Sequence, residues 1–150
     1  MKNLFEPGAV AEVKTRLRNI QPHSERLWGT MNAAQALAHC SAGLETAVGD
    51  RLLPRMFVGR IVGGVIKRFA LGNEEPLRRN SPTAPSFVVA DERNFEAEQQ
   101  RLNELIDRFA AAGPAGCTTH PHSFFGRMSP EEWAVLMYKH LDHHLRQFGV

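Results

Sequence analysis

His140 and His144 stand four residues apart in KHLDHHLRQFG, near the end of a 150-residue sequence. On a helix that spacing stacks both rings on one face, about 5–6 Å apart at Cβ, so two imidazoles can converge on one cation. Trp133 and Met137 precede them on the same face, which predicts a pair that looks into the protein. A buried neutral imidazole needs partners for its ring nitrogens, and a divalent metal supplies one. A catalytic zinc site takes three protein ligands and keeps one position open. The expected third ligand is His39, in the alanine-rich stretch TMNAAQALAHCSAGLETAV, with Gln35 one turn earlier lining the same cleft. His143 competes with His144, because it lies three residues from His140 and shares a side with Leu136 and Gln147. Asp142 points away from the pair and reads as a surface charge or a group that supports a ligand. The alternative to a metal centre is a set of histidines that only pack and hydrogen-bond.

Two further histidines, His120 and His122, lie in AGCTTHPHSFFGRM just before the last predicted helix. His122 is the candidate acid–base residue, a proton shuttle beside the metal, since imidazole titrates near neutral pH. The competing reading is a loop held down by Phe124 and Phe125. Cys40 and Cys117 make no disulfide framework. Cys40 is expected to be a small buried hydrophobe. No histidine adjoins Cys117, so a thiol nucleophile is not expected there. Arg78 and Arg79 could meet an anionic ligand or simply face water. The sequence has no HExxH, no glycine-rich phosphate loop after a strand, and no carboxylate–histidine pairs spaced for a di-iron bundle.

Histidines converge only if helices carry them. Apolar residues at three- and four-residue spacing predict helices at 13–20, 31–48, 53–70, 95–111 and 130–148. Pro22 ends the first. In the third, Ile61, Val65 and Phe69 keep a helical period, and Gly59, Gly63 and Gly64 suggest close packing against a partner helix. Ser129, Pro130 and Glu132 form a capping box with proline at the first helical position. Residues 72–89, rich in glycine, asparagine and proline, read as a long loop, either a lid or a surface segment.

Composition fits one all-α domain spanning 1–150. Apolar residues make up 43% and charged residues 23%, with a formal charge of +2, which is ordinary globular usage. So small a charge, spread without an aromatic platform, argues against nucleic acid and anionic lipid as partners. Residues 56–71 are too short and too charged to span a membrane. The start of the chain lacks a secretory pattern, so a cytoplasmic location is the expectation.

The segments WGTMNAAQALAHCS (28–41), LRRNSPTAPSF (77–87) and HSFFGRMSPEEWAVLMYKHLDHHLRQFGV (122–150) resemble a branch of the DinB-like superfamily over nearly the full length. The resemblance implies a four-helix bundle with up-down-down-up connectivity and one long crossover loop. It implies one divalent metal, zinc or nickel, held by His39, His140 and His144. Characterised relatives include thiol-dependent transferases and isomerases that act on low-molecular-weight thiols, and several are homodimers; the metal carries over to this sequence, and the transferase activity does not. A metal-dependent enzyme acting on a small molecule, by thiol transfer or hydrolysis at a metal-activated nucleophile, is the first functional reading, with a homodimer as the expected assembly. Here the expected HxxxH reads HLDHH, which leaves the choice between His143 and His144 open. The loop at 72–89 and the HSFFG turn are features of this branch. A non-catalytic bundle that binds a small molecule or a protein is the alternative.

Overall fold

Three side chains open the last helix. Ser129 Oγ accepts from the Glu132 backbone N–H, the Glu132 carboxylate accepts from the Ser129 N–H, and Pro130 takes the first helical position. The computed structural model describes residues 1–81 and 83–150; Pro82, within the predicted loop at 72–89, lies outside them. Five helices follow one another: α1 (Pro7–Leu17), α2 (Ala33–Val48), α3 (Phe57–Leu71), α4 (Phe95–Ala112) and α5 (Pro130–Gln147). Short 3-10 turns occupy Pro85–Phe87 and Gly113–Gly116. No strand forms among the described residues, so the fold is all-α. No helix there is long and apolar enough to cross a membrane.

The predicted boundaries hold best where a side chain caps the helix. α2 starts on a capping box of Asn32 and Gln35, whose side chains each bond the other's backbone N–H at 2.9 Å. This corrects the expectation for Gln35. Its carbonyl oxygen is spent on the cap, and its amide nitrogen donates to Asp91 O at 3.0 Å, so it does not line the histidine cleft. α1 differs more. It begins at Pro7 and ends at Leu17, earlier at both ends than the predicted 13–20. Proline fixes φ for a helical start at Pro7, and Ile20 is buried from the turn that follows.

α2 packs between α4 and α5, while α1 packs against the same two helices. Leu17, Leu44, Leu102, Ile106, Phe109 and Trp133 fill the centre. Alanines and Gly43 keep α2 slim, so nearly all of its residues are buried. Asp142, read as a surface charge or as a group supporting a ligand, is buried and paired with Arg16 at 2.7 Å and Arg146 at 2.8 Å, which ties α1 to α5. Burying a carboxylate is tolerable only with such partners.

α3 departs most from the sequence reading. Ile61, Val65 and Phe69 keep the expected helical period, yet they are 68%, 60% and 73% exposed, and Phe57 is 76% exposed. The inward face is the one that carries Gly59 and Gly63. A Cβ at Gly63 would collide with the Phe124 carbonyl oxygen, and one at Gly59 would sit 2.5 Å from it. The glycines therefore do permit close packing, but against the HSFFG turn rather than a helix. Met56 N–H donating to Ser123 O at 2.8 Å adds to that seam, and buried Lys139 of α5 donates to Ala70 O at 2.6 Å and holds the far end of α3.

Candidate metal centre

His39 comes from the middle of α2, and His140 and His144 from the last two turns of α5. The α2–α5 packing brings the three together. One ring nitrogen from each lies within 4.8 Å of the others. His39 Nε2 and His140 Nε2 are 2.8 Å apart, and the three ring centroids are 4.8, 4.8 and 4.9 Å from one another. A tetrahedral ion at Zn–N distances of about 2.0–2.1 Å separates its ligand nitrogens by about 3.3 Å. Small ring rotations bring the three histidines to that spacing, so they could hold a metal ion.

The outer ring nitrogens decide what faces inward. His39 Nδ1 is 2.9 Å from Phe87 O. A carbonyl only accepts, so Nδ1 carries the hydrogen and Nε2 presents a lone pair. On α5, Gln147 Nε2 donates to Trp28 O at 2.7 Å. That bond fixes the amide orientation and turns Oε1 toward His144 Nδ1, 2.8 Å away. His144 Nδ1 must therefore be protonated, which leaves its Nε2 bare. Two lone pairs thus converge on the place that His140 Nε2 also faces. Such outer bonds fix tautomer and ring orientation in histidine metal sites.

Charge agrees with this arrangement. Burial pushes His39 down from the ordinary imidazole range, and the bond to Phe87 O offsets part of the shift. Burial drives His140 well below that range, with His39 and His144 adding to the effect. Burial and then His39 lower His144 to about 3, against a partial rise from the Gln147 bond. All three are neutral at pH 7, the state that a metal requires of histidine. The His140 ring fits because of Gly43, where a Cβ would lie 3.0 Å from Nδ1.

The other singled-out residues have partners of their own. His143 lies outside the cluster, with Nδ1 donating to Leu77 O at 3.2 Å and its ring edge-on to Trp28 and His144. His120 Nε2 donates to Leu53 O at 3.0 Å and anchors the segment ahead of α3. His122 Nδ1 accepts from the Phe124 and Phe125 amides at 3.1 and 3.0 Å, and its ring stacks on Phe125. Burial, and then Arg55, lower it to about 4. The lone pair that a proton shuttle needs is thus occupied by two amides, and what remains is an Nε2–H donor. Burial drives the Cys40 thiol far up. Burial and Glu131 raise Cys117 to about 11, so neither is a thiolate at neutral pH.

Phe87, Gln147 and Gly43 were not legible as site residues. Gln147 had a signal, since it follows His144 by three residues on a helix face. Phe87 had none, because its carbonyl reaches His39 from forty-eight residues away. No curated protein and no solved structure matches the chain. The model of one family, described as Protein of unknown function (DUF1569), matches residues 6–149, and the chain belongs to that family.

Proposed function

We propose that this chain is a DinB-like protein that binds one divalent metal, zinc or nickel, through His39, His140 and His144. The observation that carries the reading is the pair of bare Nε2 lone pairs, fixed by Phe87 O and Gln147 Oε1, aimed at the point that His140 Nε2 also faces. We assign α1, α2, α4 and α5 to an up-down-down-up four-helix bundle, with α3 inside the crossover from α2 to α4. A divalent cation supplies Lewis acidity, which suits thiol transfer or hydrolysis on a small-molecule substrate. The chain's own contribution is to hold three neutral donors in register. His122 offers only a hydrogen-bond donor, so its part is to orient a group and not to carry a proton. Metal analysis of tag-free protein reconstituted with zinc or nickel tests the reading. One metal per chain, lost on His140→Ala, is expected. No retained metal in the wild type refutes it.

A second observation favours a homodimer. Phe57, Val58, Ile61, Val65, Ile66 and Phe69 leave one side of α3 apolar and open to water. At about 150–250 Å² for each aromatic side chain and less for each aliphatic one, this is roughly 700 Å² of apolar surface. A stable interface covers about 800 Å² on each partner, so one further copy of this chain covers the stripe by pairing α3 with α3.

A further inference from the structure

The electrostatics around the three histidines are one-sided. Their outer partners, Phe87 O and Gln147 Oε1, are neutral. Among the described residues no carboxylate hydrogen-bonds to any of the three rings. The nearest acid on α5, Asp142, is already paired with Arg16 and Arg146. A divalent ion here would keep its full double charge, uncancelled by any ligand.

Two arginines stand at the edges of the same cluster, each over an aromatic ring that leans on a histidine. The Arg51 guanidinium lies 5.5 Å from the Phe87 ring centre, and Phe87 meets His39 edge-on at 6.1 Å. The Arg79 guanidinium lies 4.2 Å from the Trp28 ring centre, and Trp28 meets His143 edge-on at 5.5 Å, beside His144. Arg51 donates to Ser86 O at 2.7 Å. Arg79 forms no ion pair with a described carboxylate. Beneath it, the Trp28 indole N–H is buried without an acceptor, an unpaired state that a ligand oxygen would relieve. Stacking on an aromatic face holds a guanidinium in place while leaving its N–H edge free to bind an anion.

We infer that the centre takes an anionic substrate, a small molecule whose carboxylate is recognised by Arg79 on Trp28, with Arg51 on Phe87 adding to the field, while its reacting end meets the histidines. This rests on the metal reading above. The guanidinium edge supplies charge-assisted hydrogen bonds, the strong kind, and it can grip a carboxylate with two parallel bonds. The neutral shell around the histidines leaves the attraction undiminished.

The test uses full-length protein loaded with cobalt(II), with 3-mercaptopropionate and its methyl ester as probes. Thiol binding is followed by sulfur-to-cobalt charge-transfer absorption. The acid should bind about tenfold tighter than the ester, in line with one charge-assisted pair. Arg79→Gln should remove most of that preference, and Arg79→Gln with Arg51→Gln all of it, with cobalt content unchanged. Arg79→Lys should restore only part, because a point charge lacks the two-pronged fit. Equal binding of acid and ester to the wild type overturns the proposal while leaving metal binding intact. So does a preference that survives in the double variant, because the ion alone then accounts for it. Failure to take up cobalt at all overturns the metal reading and this inference with it.

Discussion

Gln147→Leu removes one side chain that makes two buried bonds. Leucine is close in volume, so packing between α5 and the segment around Trp28 is kept, while Trp28 O loses its donor and His144 Nδ1–H loses its acceptor. Gln147 is 3% exposed, so water does not readily replace either bond. Each buried group left unpaired costs about 1–3 kcal/mol, and the midpoint of denaturant unfolding should fall accordingly. The effect on metal binding is separate. Without Oε1 the ring of His144 can rotate and adopt the other tautomer. Loss of such an outer partner typically weakens metal affinity about 10- to 100-fold. The assay is competition for zinc against a chromophoric chelator at fixed pH, under conditions where circular dichroism shows the helices intact. Gln147→Glu separates the two effects. Its carboxylate still accepts from His144 and should hold affinity, yet it sets an oxygen against Trp28 O and should lose stability. The reasoning is refuted if Gln147→Leu binds zinc as tightly as the wild type while His144→Ala does not.

Acid should weaken the metal-free fold. His122 titrates at about 4 in the fold, chiefly because of burial, and near 6.5 when unfolded. The unfolded chain therefore binds the proton first, so stability is full above pH 6.5 and is lost as pH falls toward 4, by about 2 kcal/mol at pH 5. His122→Asn keeps an acceptor for the Phe124 and Phe125 amides but does not titrate, so in denaturant melts from pH 7.5 to pH 5 it should remove the His122 share of the slope and leave the share of the other buried histidines. Gly63→Ala should lower the unfolding midpoint and loosen the HSFFG turn, since its Cβ meets the Phe124 carbonyl oxygen. Gly64→Ala meets nothing within 4 Å and should stabilise the helix by about 1 kcal/mol; equal losses in the two variants would contradict the seam. Val65→Glu should convert a dimer to a monomer in sedimentation, with metal content unchanged, and a monomeric wild type would refute the α3 pairing.

The sequence by itself determined the features that depend on neighbours within a few residues. Ser129 and Glu132 cap α5 as their types require, and the four-residue spacing of His140 and His144 puts both on one helix face, because these are properties of a helix alone. The α3 stripe shows where such reasoning stops. A helical period states that Phe57, Ile61, Val65 and Phe69 share a side, but not whether that side meets the core. Only the tertiary structure decided it, through the contact of Gly59 and Gly63 with the backbone of Phe124, which turns the apolar side to water. Gln35 and His122 teach the same lesson: a side chain suited to a site can be spent on a cap or a turn. The tertiary structure also decided the state of the rings at the centre. Spacing brings imidazoles near one another, but the hydrogen placed on each outer nitrogen by Phe87 O and Gln147 Oε1 is what leaves lone pairs facing inward, and Phe87 O comes from a chain segment remote in sequence.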